Sequence, residues 1–78
     1  MLVEIYTPEK KLFEGEAKSV MLPGADGSFG VLNKHAAIIS ALKKGQVKIT
    51  SSTEGEKTFD IKGGVAEVLN NKMVILAE

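Results

Sequence analysis

Hydrophobicity in this chain runs with a period of two, in short stretches interrupted by turn residues every eight to twelve positions. That pattern restricts the fold more than any other feature, because it suits half-buried antiparallel strands and little else. In "LVEIY" (Leu2–Tyr6), Val3 and Ile5 share one face, with Leu2, Glu4 and Tyr6 on the other. "KSVML" (Lys18–Leu22) sets Val20 and Leu22 against Ser19 and Met21. "QVKIT" (Gln46–Thr50) points Val47 and Ile49 inward, and "KTFDIK" (Lys57–Lys62) does the same with Phe59 and Ile61.

The punctuation agrees. "EGE" (Glu14–Glu16), "ADG" (Ala25–Gly27), "KKG" (Lys43–Gly45), "TEGE" (Thr53–Glu56) and "LNNK" (Leu69–Lys72) all carry hairpin chemistry, and Asn70-Asn71 suits the positive φ of a tight turn. "KHAAIISALKKG" (Lys34–Gly45) is the one helical candidate. It is short, lacks a capping box and contains adjacent isoleucines, so it reads as strand followed by turn. The expectation is all-β: one domain over residues 1–78, a small antiparallel β-sandwich or flattened barrel of about eight to ten short strands.

At 78 residues a core is modest, and with no cysteine there is neither a disulfide nor a thiolate metal site to reinforce it. Ten basic residues, all lysine, balance ten acidic ones. Nucleic-acid binders concentrate positive charge and use arginine forks, so nucleic acid is not an expected partner. No apolar run reaches the roughly 18–20 residues of a membrane helix, and no signal-peptide pattern opens the chain. The reading is a soluble chain without direct membrane insertion.

Two segments depart from simple alternation. "MVILA" (Met73–Ala77) is apolar throughout, and "GGVAEVLN" (Gly63–Asn70) nearly so. A sandwich strand has one face on the core and one on solvent, so apolar residues on both faces imply a cover. A loop of the same chain could supply it, or another protein.

The chemistry candidates are few. His35 is the only histidine. A nucleophile–base pair would need a partnered serine or cysteine, and zinc would need further nitrogen or sulfur ligands. A structural or interface role therefore outweighs catalysis or metal binding. "PGADGSFG" looks superficially like a phosphate cradle, but it lacks the Gly-Lys-Ser/Thr ending and precedes no helix. Turn geometry accounts for it: Gly24 and Gly27 flank a bend, Asp26-Gly27 fits a type I′ hairpin, and Gly30 relieves a close backbone approach. Catalytic residues, metals and cofactors are all expected to be absent, and the chain reads as an interaction module.

In order and from end to end, the chain resembles the N-terminal β-sandwich domain of the epsilon subunit of F-type ATP synthase. The resemblance is carried by Phe13-Glu14-Gly15, by Leu22-Pro23-Gly24 through Gly30-Val31-Leu32, and by His35-Ala36. It continues with Leu42 through Ile49, Gly63-Gly64 through Val68, and Val74 through Ala77. Asn33, Lys34 and Ala37 stand where the family usually has proline, glycine and proline. The family commonly continues into a C-terminal helical hairpin, absent from these 78 residues, whose roles are not carried over.

The resemblance implies a non-catalytic rotor subunit of the central stalk, joining the gamma subunit to the c-subunit ring and transmitting rotation for proton-driven ATP synthesis. It implies a peripheral location on the cytoplasmic face of the bacterial inner membrane. By position, the loop Ala25, Asp26, Gly27, Ser28 and Phe29 matches the tip facing the c ring, and Thr7 and His35 match positions near gamma. The family often has an acid at the position of Ser28, with Asp26 here as a substitute. A free-standing β-barrel module for a peptide or small ligand, and a small enzyme built on His35, remain as alternatives.

Overall fold

Asn70 and Asn71 (φ 50° and 59°) close a two-residue turn, as their side chains suit them to do. Gly55 (φ 76°) closes a second hairpin and the Ala25–Asp26 pair a third. A computed structural model describes all 78 residues; 74% of them lie in strands and none in a helix. The strands are β1 (Leu2–Tyr6), β2 (Lys11–Glu16), β3 (Ser19–Gly24), β4 (Gly27–Leu32), β5 (Ile38–Ser51), β6 (Gly55–Leu69) and β7 (Lys72–Ala77).

They form one sheet in the order β2-β1-β7-β6-β5-β3-β4. All pairs are antiparallel except β1 with β7, which run parallel. The expected eight to ten short strands are thus seven, because β5 and β6 are single strands of 14 and 15 residues. The sheet is not closed into a barrel, since β2 and β4 remain as free edges.

The sheet folds over on itself. The Phe13 and Phe59 rings meet at 5.4 Å, although β2 and β6 are not neighbours in the sheet. At the other end, the Met1 ammonium donates to the Ala17 carbonyl (2.9 Å) and to Asn33 Oδ1 (2.6 Å), tying β1 to the segment after β4. One layer comprises β2, β1, β7, the second half of β6 and the first half of β5. The other comprises the remaining halves of β6 and β5 with β3 and β4. Sixteen apolar residues fill the space between, with Val3, Ile5, Val20, Val31, Val47 and Ile75 wholly out of water.

The long β5–β6 hairpin changes layer at one level. On β6 the buried positions are odd-numbered through Ile61 and even-numbered from Ala66 on; on β5 they change from even (Leu42) to odd (Val47). Gly63 and Gly64 sit at that level with φ near +150°, a region in which a Cβ is strained. This is why "KKG" is no turn: Lys43–Gly45 lies within β5, opposite Ile61 and Gly63, at the bend of a continuous ladder. "EGE" is likewise no turn, since Glu14–Glu16 pairs with β1 as part of β2 and the chain reverses at Thr7–Lys10 instead. In Lys34–Gly45 the strand begins at Ile38 and runs on past the expected stop.

Candidate interaction surfaces

The outward positions of the two layers differ in chemistry. On the layer containing the C-terminal half of β5 and the N-terminal half of β6, Gln46, Lys48, Thr58 and Asp60 face water, with Gln46 Nε2 donating to Asp60 Oδ1 at 3.1 Å. On the opposite layer several outward positions are large and apolar. Ile39 is 74% exposed, Leu76 57%, Leu69 54% and Val65 42%, on three adjacent strands. Register makes them one patch: Val65 lies across from Ala41 on one side and Leu76 on the other, and Leu76 lies across from Tyr6. No loop of the chain covers them, so the cover implied by the apolar β6 and β7 has to come from elsewhere.

This patch arises because alternation fails on one side only. Met73, Ile75 and Ala77 turn inward, which leaves Val74 and Leu76 outward; Ala66 and Val68 turn inward, which leaves Val65 and Leu69 outward. A contiguous apolar face of this kind on a small domain marks a partner surface.

The hairpin of β3 and β4 stands beside one end of the patch. Ala25 N donates to the Ala41 carbonyl at 2.9 Å, on the rung shared with Val65, Leu76 and Tyr6. The turn closes over two residues, with Gly24 paired to Gly27. A Cβ on Gly24 would lie 2.6 Å from the Gly27 carbonyl oxygen and 2.8 Å from the Phe29 ring, so the closure requires a glycine there. Neither Ala25 nor Asp26 has positive φ, so the turn is not type I′. Gly30 makes room for the Met21 sulfur, 2.9 Å from where its Cβ would be, rather than for a backbone. Ala25, Asp26 and Ser28 are exposed, whereas Phe29 folds back against the core.

Thr7 and His35 lie at opposite ends of the apolar face. Thr7 follows β1 directly, next to the Tyr6 that pairs with Leu76; its Oγ1 accepts from Lys10 N (3.2 Å) and Glu9 N (3.3 Å), fastening the β1–β2 turn. With Tyr6, Leu42, Val65 and Leu76 it lines a shallow hollow. His35 sits in the β4–β5 connection near the start of β1, where Lys34 N donates to Asn71 Oδ1 (2.6 Å) and Leu2 N to the Asn71 carbonyl (3.2 Å). The length of β1 separates the two ends, about 17 Å at the rise of an antiparallel strand.

His35 is exposed, and its Nδ1 lies 2.7 Å from the Ala36 carbonyl, its one side-chain hydrogen-bond partner. No group of three His, Asp or Glu side chains converges anywhere as a metal site would. Lys11 and Glu14 have displaced acid–base equilibria. Their mutual hydrogen bond raises the lysine above its usual value and lowers the carboxyl below its own, on the outer side of an edge strand. Sequence reasoning did not single out this pair; the three-residue spacing across the start of β2 was its only trace.

Fold and surface together define a class: an all-β docking module with a broad apolar face and a hairpin beside it. The profile of the ATP synthase delta/epsilon chain β-sandwich domain matches residues 1–78, and the chain belongs to that family as a non-catalytic member. The ATP synthase epsilon chain of Chlorobaculum tepidum is 46% identical over 76 residues, covering 97% of this chain and 86% of its own length. That of Chlorobium limicola is 43% identical with the same coverage. The epsilon chain of Bordetella parapertussis is 40% identical, and there the match spans only 54% of the relative.

Two solved assemblies share the fold. A chain in the mitochondrial ATP synthase of Euglena gracilis superposes with TM-score 0.88 at 18% identity, covering 96% of this chain and 48% of that one. A chain in the central stalk and c-ring structure of the Tetrahymena thermophila enzyme does so with TM-score 0.78 at 24% identity, covering 97% and 61%.

Proposed function

We propose that this chain is a rotor subunit in the central stalk of an F-type ATP synthase, docked by its apolar face on the gamma subunit and by its hairpin tip on the c-subunit ring. The observation that carries the reading is the run of exposed Ile39, Val65, Leu69 and Leu76 across three adjacent strands, larger than the separate exposed Met21 and Leu32 on β3 and β4. A stable interface needs an apolar centre with a polar rim, and this patch is bordered by Lys72, Glu4, Lys11 and Glu14. Gamma is the partner assigned to it.

The hairpin tip, with Ala25, Asp26 and Ser28 exposed, extends polar groups from the Thr7 end of the face. That suits the polar loops of a membrane ring. In this arrangement the Thr7 end of the face is nearer the ring and the His35 end is further along the stalk. The subunit is peripheral, on the cytoplasmic face of the bacterial membrane, and contributes rigid connection rather than chemistry.

The experiment is a binding titration of this chain against purified gamma subunit, comparing the wild type with Ile39→Asp and Leu76→Lys. Both side chains are exposed, so folding stability should change by no more than about 0.5 kcal/mol, whereas each charge placed on an apolar interface centre should weaken binding by about 2 kcal/mol or more. Absence of binding by the wild type at micromolar concentration would end the gamma assignment. Unchanged affinity in both variants would place the interface elsewhere. In the assembled complex, a cysteine at Ser28 should crosslink to a c-subunit loop cysteine and one at Lys57 should not.

A further inference from the structure

Within the apolar patch stands one carboxylate. Glu67 faces the same way as Val65 and Leu69, two residues to either side on β6, and pairs laterally with Ile39 on β5 and Val74 on β7. Cross-strand neighbours have Cβ atoms about 4.5–5.5 Å apart, so Glu67 is enclosed on four sides by apolar side chains. It is exposed and makes neither a hydrogen bond nor an ion pair within the chain.

The carboxylates Glu4 and Glu14 on this layer are already matched. Glu4 receives the Tyr6 hydroxyl at 3.1 Å and pairs with Lys72 at 3.6 Å, and Glu14 pairs with Lys11. Lys72 is the nearest cation by register, one rung along beside Leu69, and it is engaged by Glu4. Any surface that covers Ile39, Val65, Leu69 and Val74 also covers Glu67. A carboxylate taken out of water without a donor is strongly disfavoured, so a partner with a purely apolar contact surface would be rejected at this point.

We infer that Glu67 selects the partner on this face, and that the covering surface of gamma places a lysine or arginine against it. The inference rests on the docking reading above and adds to it the chemistry of the partner's contact surface. A charge at the rim would contribute little; at the centre it fixes register and excludes surfaces that lack the matching cation.

The test titrates wild-type chain, Glu67→Gln and Glu67→Lys into purified gamma subunit at low and moderate salt, after thermal melts confirm that each variant is folded. Glu67→Gln should bind about ten- to a hundred-fold more weakly than wild type, and Glu67→Lys more weakly still. A gamma variant with its facing lysine or arginine replaced by glutamate should recover binding to Glu67→Lys but not to wild type. If wild type binds and Glu67→Gln binds as tightly or more tightly, the carboxylate has no matched cation and the inference is overturned. If wild type does not bind at all, the docking reading fails, and this inference fails with it.

Discussion

Gly64 offers a quantitative test of how β6 passes β7 at the layer change. A Cβ added there would overlap the Leu76 carbonyl oxygen outright and come within 3.0 Å of Ala77 Cα and 3.1 Å of the Leu76 carbonyl carbon. All three are backbone atoms of a strand bonded on both sides, so no side-chain rotation relieves the overlap. The φ of +147° adds strain. Overpacking costs about 1–3 kcal/mol and a glycine-only backbone conformation a further 1–3 or so. Gly64→Ala should therefore lose about 4 kcal/mol, against about 4–12 kcal/mol of total stability for a domain of this length.

Gly27 supplies the control. Its φ is +130°, yet an added Cβ would meet nothing within 4 Å, so Gly27→Ala isolates the strain alone. Urea unfolding followed by far-ultraviolet circular dichroism should place Gly64→Ala about 1–3 kcal/mol below Gly27→Ala, or show it unfolded without denaturant. If the two variants fell within about 0.5 kcal/mol of each other, strand β7 would be free to move aside, and the account of the layer change would be wrong.

Two further predictions concern the turn and the edge. Asn70→Gly should leave stability unchanged or slightly raised, because φ of 50° suits glycine, whereas Asn70→Val should cost about 1–2 kcal/mol, read from the same urea curves. The Lys11–Glu14 pair sets a pH dependence of definite sign. Glu14 has its carboxyl lowered by the bond to Lys11, so its contribution is present above the usual carboxylate value of 4.5 and is lost as pH falls through the lowered value. Lys11 is raised above 10.5, so its share is lost only at still higher pH. Melting temperatures of Glu14→Gln and wild type should differ only slightly at pH 7 and converge in high salt and in acid, since both groups lie on the surface.

Much of the layout was legible because most segments satisfy local rules. "LVEIY" and "QVKIT" alternate as strands should, and Asn70-Asn71 is a turn by its own chemistry. The failures at "EGE" and "KKG" share one cause: glycine there reads as a mark of reversal. At Gly15 it sits beneath the Phe13 ring, 3.0 Å from where its Cβ would be, inside an edge strand; at Gly45 it makes room for Pro23 in the middle of β5. Close approach and turning leave the same letter in the sequence.

The parallel pairing of β1 with β7 joins the two ends of the chain and has no local signal at all. For the surface, the fully apolar "MVILA" implies a cover on its outer face, and the sequence alone leaves a loop and another protein as equal candidates; in the structure no loop lies there. That Thr7 and His35 occupy opposite ends of that face depends on register between strands far apart in sequence. Glu67 escaped notice because a single acid in a strand looks like ordinary alternation until its four neighbours are known.

The passage of β5 and β6 through both layers bears on how the domain can come apart. A sandwich of two separate sheets can lose one and keep a remnant of the other. Here each layer contains half of the same two strands, so neither can detach without dissolving the ladder that holds its counterpart. Amide hydrogen exchange in β5 and β6 should then proceed by a single global opening, at the same rate on either side of Gly63 and Gly64, while β2 and β4, bonded along one edge only, exchange by local fraying. The domain keeps no looser half that could open while the rest holds its partners.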